Sequence, residues 1–154
     1  MHARCVAHAR IVDVVERIMR ERQGRLPCLA DVSVTIVDPE LVITHPDEFG
    51  HTLDRMALTL GQRLGPTHRL WITVERWRPD AAAAAAAAIT VEDDGPPIPS
   101  DEWAREWLPA LRDGGACELG RQWGLDQLRA TGGSVSMGSG LGGTTFTLVV
   151  PIVA

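Results

Sequence analysis

Residues 132–151 read GGSVSMGSGLGGTTFTLVVP, and this stretch predicts two strands joined by a tight turn. The strands are SVSM and TTFTLVVPI, and the glycines of GSGLGG between them permit a short hairpin connection. Thr144 has the same parity as Phe146, Leu148 and Val150. Successive side chains of a strand point to opposite faces, so we expect Thr144 to face the core with them.

The residues before this hairpin alternate between helical and extended patterns. Apolar residues at helical spacing predict a helix from Cys5 to Arg22, a second from about Asp47 to Gly65, and a third from about Gly120 to Thr131. Extended patterns predict two short strands around a turn at 32–38 and 41–45, and further strands at 70–77 and 89–92.

Two segments fit neither pattern simply. The run Ala81–Ala88 favours helix by propensity, but it lies between two predicted strands. We therefore predict a loose connection at its start and entry into the next strand at its end. Residues 95–119 are punctuated by Pro and Gly and contain one short predicted helix with Ser100 as its N-cap. This length is unusual for a loop and predicts a lid.

Strand pairs separated by helices indicate an α+β fold. We expect a two-layer α/β sandwich with a mixed, mostly antiparallel sheet and helices on one face. With 154 residues and 45% hydrophobic content, the chain can bury one core, so residues 1–154 are predicted to be a single domain.

Charge and cysteine content exclude several classes of protein. The net charge of −5 and the dispersed basic residues argue against a nucleic-acid partner. Three widely spaced cysteines form neither a disulfide framework nor a zinc site, which favours reduced thiols and a cytoplasmic location. No run of 18 apolar residues or signal peptide is present in the sequence, so no membrane insertion is expected. No local signature supports nucleophilic catalysis, and we assign no catalytic residue.

Three segments carry a resemblance to a known family. The sequence resembles the ATP-binding domain of two-component histidine kinases, in the group that includes gyrase, over roughly residues 8–152. The stretch 132–151 looks like the closing hairpin of that Bergerat-type sandwich. VEDDGPPIP (91–99) is similar to its first glycine box, V-x-D-N-G-P-G-I-P, and PDEFGHTLDRMALTLGQRL (46–64) has the length and leucine spacing of the helix with the asparagine box.

The resemblance implies an adenine pocket that is partly retained, so ATP is the expected candidate ligand. Asp93 would accept a hydrogen bond from the adenine amine, Gly95 would let the backbone approach the ligand, and Thr144 would assist through the aspartate and a water. The alternative for Asp93 is a strand-end carboxylate that caps a Gly-Pro turn. For Thr144, the alternative is an ordinary buried threonine.

The phosphate end departs from the family pattern. Arg55 and Thr59 stand at the polar positions of the asparagine box, where the family has the magnesium ligand, and Pro97 replaces a glycine of the first box. In ACELGRQW (116–123), only Leu119 and Gly120 match the second glycine box, and Glu118 would oppose a triphosphate. Arg55 could instead meet a phosphate directly, or both residues could lie on a solvated helix face. We expect no metal site and doubt magnesium binding.

The function implied is that of a degenerate domain in bacterial two-component signalling. No histidine has the H-E-x-x-x-P context of a phosphoacceptor, and no dimerisation domain is expected. We predict a regulatory or binding module with weak or no ATP hydrolysis, whose partner is a response regulator or a kinase dimerisation domain. One alternative is an active ATP-dependent histidine kinase component that phosphorylates a separate chain. Another is a binding protein like the anti-sigma-factor kinases or the phosphotransferases.

The tryptophans have two interpretations. Trp71 and Trp77 share a strand face opposite the predicted core, and Trp103 and Trp107 are four residues apart on the lid. They either pack the sheet and the lid against each other or form an exposed interface for a partner or a homodimer.

Overall fold

A five-stranded sheet with helices on one face forms the centre of the molecule. The computed structural model describes residues 8–23, 31–65, 67–78, 80, 84–140 and 142–153. In chain order, the strands are β1 (Ala9–Arg10), β2 (Asp31–Ile36), β3 (Val42–Ile43), β4 (Arg69–Trp77), β5 (Ala86–Asp93), β6 (Ser134–Gly140) and β7 (Gly143–Pro151). The helices are α1 (Ile11–Gln23), α2 (Pro46–Arg63), α3 (Ser100–Glu102), α4 (Leu108–Asp113), α5 (Glu118–Gln122) and α6 (Leu125–Ala130), and a π-helical segment (Trp103–Trp107) joins α3 to α4.

The order of the strands in the sheet is β2-β4-β5-β7-β6. β2 is parallel to β4, and the other three pairings are antiparallel. The closing hairpin forms as predicted, with Gly140 paired to Gly143. This topology confirms the mixed, mostly antiparallel sheet of a two-layer α+β sandwich.

The central strands β4, β5 and β7 bury one face under the helices. The side chains that alternate toward the helices are buried, as the alternation in the sequence predicts. They are Leu70, Ile72, Val74, Ile89, Val91, Phe146, Leu148 and Val150. On the opposite face, Trp71 and Trp77 are 36% and 42% exposed. The expectation that these two tryptophans lie opposite the core is therefore confirmed.

Helix α2 provides one wall of the candidate site, and its sequence explains where it lies. Pro46 occupies the first turn, where its missing N–H leaves no bond unmade, and Asp47 and Glu48 complement the positive end of the helix dipole. One stripe of the helix is buried in the core, as its spacing predicts. This stripe consists of Phe49, Leu53, Met56 and Leu60.

The two short strands expected around a turn at 32–38 and 41–45 are present as β2 and β3, but they do not pair with each other. β3 pairs with β1, with Ala9 opposite Ile43, while β2 pairs with β4 at the edge of the main sheet. Leu41 and Ile43 are both about 1% exposed, and the Ile11 N–H donates to the Leu41 carbonyl at 2.9 Å. Burial against the start of α1 therefore separates this segment from β2, a long-range effect that local alternation does not report.

Two helices also differ from their predicted bounds. Helix α1 begins at Ile11 because residues 9–10 form β1, and residues 5–7 of the prediction lie outside the described residues. The predicted helix at 120–131 is divided into α5 and α6. Gly124 adopts a left-handed conformation with φ of 67° at the break, where helical hydrogen bonding cannot continue regularly.

The alanine run ends in the centre of the sheet. Ala86, Ala87 and Ala88 are the first residues of β5, which confirms the prediction for the end of the run. Residues 81–83 lie outside the described residues. Pairing with β4 and β7 on both sides supplies the hydrogen bonds that override the helix propensity of alanine.

Replacing Asp54 by Asn tests the ion pair that links α1 to α2. Arg22 Nε and Nη2 donate to the two Asp54 carboxylate oxygens at 2.6 Å each, and this hydrogen bonding lowers the pKa of Asp54. A lowered pKa adds stability above the unfolded-state pKa of about 3.9, and that stability is lost as the pH falls through the folded-state pKa. We expect Asp54→Asn to reduce the free energy of unfolding by about 1–2 kcal/mol at neutral pH, and by less in acid, in urea titrations.

The control for this experiment is Asp13→Asn. Asp13 is an exposed aspartate that lies 4.0 Å from Arg10, so its loss should change stability little. Equal losses in the two variants would show that the partly buried Arg22–Asp54 ion pair has no special role.

Candidate functional site

The three residues assigned to an adenine pocket lie together where β5 ends and β7 begins. Asp93 is 5% exposed and Thr144 is 1% exposed. The Asp93 Oδ1 accepts the backbone N–H of Gly95 at 2.9 Å and that of Thr144 at 3.3 Å. The inward direction expected for Asp93 and Thr144 is confirmed. The carboxylate also caps its own Gly-Pro turn, which was the alternative use for it.

The backbone is packed closely around this carboxylate. A Cβ built on Gly95 would lie 2.5 Å from Leu64 Cδ2, so the room left by the missing side chain is taken up by a core leucine. A Cβ on Gly143, whose φ is 111°, would lie 1.9 Å from the Asp93 carbonyl oxygen. Gly95 therefore leaves room for the Leu64 side chain, and Gly143 lets its backbone pack against the backbone of Asp93.

The lid segment lies against the core of the domain. Ile98 is 6% exposed, and its N–H donates to Ser139 Oγ at 2.9 Å. Ser139 Oγ is 3.4 Å from Thr144 Oγ1, so the lid reaches the same corner as Asp93. Ser100 is the first residue of α3 and makes no side-chain cap, because Pro99 occupies the N-cap position. The prediction of a Ser100 N-cap is wrong, since proline ends the extended segment one residue earlier.

An ion pair fastens the lid to the end of α2. Arg63 Nη1 donates to both carboxylate oxygens of Glu102, at 3.0 and 3.2 Å, and its Nη2 reaches the Pro97 carbonyl at 3.5 Å. Trp107 Nε1 donates to the same glutamate at 3.4 Å, and the guanidinium carbon of Arg63 lies 5.9 Å from the Trp107 ring centroid. Four of these contacts link Arg63 of α2 to the lid segment, and the fifth joins two residues within the lid.

The lid contributes one of three aromatic rings that form a buried cluster. Trp107, Trp123 and Phe146 have centroid separations of 5.5, 5.9 and 5.5 Å, and all three are at most 2% exposed. For Trp107, packing of the lid on the sheet is therefore correct and an exposed interface is wrong. The sequence analysis did not single out Trp123. The signal for it was a large aromatic residue at the end of ACELGRQW (116–123), a segment that departs from the second glycine box.

The asparagine-box positions lie next to this cluster. Thr59 Oγ1 donates to the Arg55 carbonyl at 2.8 Å and accepts the Trp123 indole N–H at 3.1 Å. Arg55 is exposed and points into a cleft of about 610 Å³ that Thr59 and Trp123 also line. The structure therefore brings Arg55 and Thr59 together, as their spacing predicts.

Gly120 is buried at a contact between helix α5 and the preceding turn. A Cβ at this position would lie 1.8 Å from the Gly114 carbonyl oxygen, so the glycine is required for packing. Glu118 is exposed at the first position of α5, and its Oε1 accepts the Gln122 Nε2 at 3.5 Å. Within the described residues, no group of three or more His, Cys, Asp or Glu side chains lies together as a metal site would require.

Comparison with known proteins identifies the fold. A search with protein-family sequence models finds no match to the chain, and a search of curated protein sequences finds none either. Among solved structures, the mycobacterial sensor histidine kinase MprB matches with a TM-score of 0.71 and 16% identity, over 95% of this chain and 98% of that one. The catalytic domain of histidine kinase ThkA matches with a TM-score of 0.73 and 14% identity, over 94% of each chain.

A third similar structure is the Acinetobacter baumannii histidine kinase AdeS. Its TM-score is 0.68 at 14% identity, over 97% of this chain and 69% of that one. At such identities the likeness establishes the fold, which is that of a histidine kinase catalytic domain and confirms the resemblance read from the sequence. Across the described residues, none of the helices is both long and apolar enough to cross a membrane.

Replacing Asp93 by Asn tests the electrostatics of the buried carboxylate. Burial raises the pKa of Asp93, and the hydrogen bonds from Gly95 and Thr144 offset this only in part. A raised pKa adds stability below the unfolded-state value of about 3.9, and this stability is lost as the pH rises through the folded-state pKa. We expect urea unfolding to show that Asp93→Asn gains stability relative to the parent protein as the pH rises from acid to neutral.

The variant keeps an Oδ1 acceptor for both backbone N–H groups, so the comparison isolates the charge. Asp101→Asn, which removes an exposed carboxylate, is the matched control and should change the free energy of unfolding little. Parallel profiles for the parent and Asp93→Asn would contradict a raised pKa.

Proposed function

From its histidine kinase catalytic-domain fold, we propose that this domain acts in two-component signalling as a regulatory or binding module. In this proposal it has weak or no ATP hydrolysis. Its partner is a response regulator or the dimerisation domain of a kinase. Cys117, a free thiol among the described residues, suits the reducing cytoplasm in which such a module would work.

One observation carries the proposal, and it concerns Thr59. This residue stands at the position that the family resemblance assigns to the magnesium-binding asparagine, and its hydroxyl is already engaged on both sides by the Arg55 carbonyl and the Trp123 indole. Arg55 adds a positive charge one turn away, which would repel a divalent cation. The donor set at this position therefore does not fit a magnesium ion that bridges phosphates.

The adenine end is more consistent with ligand binding. A buried carboxylate with an adjacent threonine can accept a hydrogen bond from an exocyclic amine, and we propose Asp93, Gly95 and Thr144 as the residues that would receive a purine. For this the lid would have to release its contacts with Ser139 and Arg63. Gly120 would support the phosphate side only indirectly, through the packing described above.

Calorimetry with ATP and magnesium tests the proposal directly. Because the Thr59 hydroxyl is already engaged by the Arg55 carbonyl and the Trp123 indole, we expect no magnesium-dependent gain in ATP affinity and no phosphate release above the uncatalysed rate. The same protein should bind an isolated kinase dimerisation domain or a response regulator in a pull-down with purified partners. Tight metal-dependent ATP binding with turnover would establish an active kinase component instead.

Restoring the family residues provides a second prediction. The triple variant Thr59→Asn, Pro97→Gly and Glu118→Gly returns an amide ligand, a flexible first box and an uncharged helix start. We expect its affinity for ATP in the presence of magnesium to rise about tenfold or more. The same variant measured in EDTA should show no such gain, and an unchanged affinity in both buffers would mean that closure of the lid, rather than the lost ligands, excludes the nucleotide.

A further inference from the structure

The face of the sheet that points away from the helices carries two exposed tryptophans. We call it the outer face, and its side chains are those that alternate with the buried residues of β4, β5 and β7. Trp71 and Trp77 both lie on it, and both remain exposed in spite of their large apolar area. Aromatic residues are enriched in surfaces that bind another protein. The outer face therefore has the composition of a contact surface.

Each of these tryptophans has a carboxylate beside it. Glu92 lies directly opposite Trp71 in the pairing of β4 with β5, which places their Cβ atoms about 5 Å apart. Glu75 is two residues before Trp77 on β4, so both side chains point to the outer face about 7 Å apart. Both glutamates are exposed, and among the residues that the structure describes neither has a hydrogen-bond or ion-pair partner. The outer face therefore has two pairs, each made of an indole and an unneutralised carboxylate.

The surface between the two pairs is built from small side chains. Thr73 lies opposite Thr90 in the pairing of β4 with β5. Ala88, which lies opposite Glu75, has Val149 on its other side. The two indoles are six residues apart on one strand, which corresponds to about 20 Å. They therefore stand at the ends of a shallow floor that is as long as six residues of an extended chain.

The charge of the outer face selects the kind of partner. Glu75 and Glu92 are negative, whereas Arg69, the basic residue at the start of β4, already makes an interaction of its own. A second copy of this chain, packed face to face, would bring four carboxylates together, and like charges across an interface oppose binding. A basic partner would be attracted instead, and the net charge of −5 adds to that attraction.

An indole next to a carboxylate is suited to a cationic side chain. The face of the ring attracts a guanidinium or ammonium group through its quadrupole, and the carboxylate accepts charged hydrogen bonds from the same group. We propose that the outer face is a docking surface for an extended, basic segment of a partner protein. Two Arg or Lys side chains of this segment, six residues apart, bind the two indole–carboxylate pairs, and the residues between them lie on the floor. Asp93 points to the opposite side of the sheet, so this surface goes beyond the function proposed above and needs no nucleotide.

The blocked peptide Arg-Thr-Val-Thr-Val-Thr-Arg tests this surface. In an extended chain, its two arginines and two valines point to one side, and the arginines are six residues apart. In proton–nitrogen correlation spectra, the indole N–H signals of Trp71 and Trp77 should shift saturably with the peptide, and Trp→Phe variants at these positions assign them. The signals of the buried Trp107 and Trp123 should not shift. Added salt should weaken the binding, because the contacts are charged and exposed.

Substitutions on the outer face measure the contribution of each side chain. Trp71→Ala and Trp77→Ala should each weaken peptide binding about five- to tenfold, and Glu75→Gln and Glu92→Gln about threefold each. Glu16→Gln, which removes an exposed glutamate from α1, is the matched control and should bind as the parent does. Because the substituted side chains are exposed, thermal unfolding should show an intact fold in every variant.

A second peptide and the oligomeric state can overturn the inference. Arg-Thr-Val-Thr-Val-Arg-Thr has the same composition but points its second arginine away from the sheet, so it should bind more weakly. Equal binding of the two peptides contradicts the proposal, as does the absence of any shift of the Trp71 and Trp77 signals at millimolar peptide. Sedimentation that shows a dimer which Trp77→Ala dissociates would also contradict it, because a second copy would then cover the outer face.

Discussion

The indole of Trp123 is the constraint on which the rest of the site depends. It is fully buried, and it contacts the lid through Trp107, the sheet through Phe146 and helix α2 through Thr59. The backbone carbonyl of Trp123 accepts a hydrogen bond from the buried Thr52 hydroxyl at 2.6 Å. This bond joins the break between α5 and α6 to helix α2. A tryptophan held from three sides cannot leave without opening the core, so the position of the lid and the break between α5 and α6 are coupled.

The general architecture follows from local patterns that the sequence displays directly. The parity of Phe146, Leu148 and Val150, the leucine stripe of α2 and the two glycine-flanked strands of the hairpin each predict an element that the structure contains. The sequence also predicts that the side chains of Asp93 and Thr144 point inward, because each has the same parity as the buried residues of its own strand. Their closeness, however, depended on the resemblance to a known sandwich.

What the sequence did not reveal depends on contacts between distant residues. Thr52 and Trp123 are 71 positions apart, and Arg63 and Glu102 are 39 apart, so no window of periodicity contains either pair. The pairing of β3 with β1 and the division of the third helix have the same origin, since burial and a left-handed glycine outweigh local preference there.

The alanines of β5 have a consequence for the order of assembly. Ala86–Ala88 favour helix in an isolated chain, and they become strand only between β4 on one side and β7 on the other. β7 (Gly143–Pro151) follows β5 only after residues 94–142. During synthesis β5 therefore waits, without its second neighbour, until those residues and β7 have left the ribosome. Such delayed, long-range pairing favours slow acquisition of the native sheet.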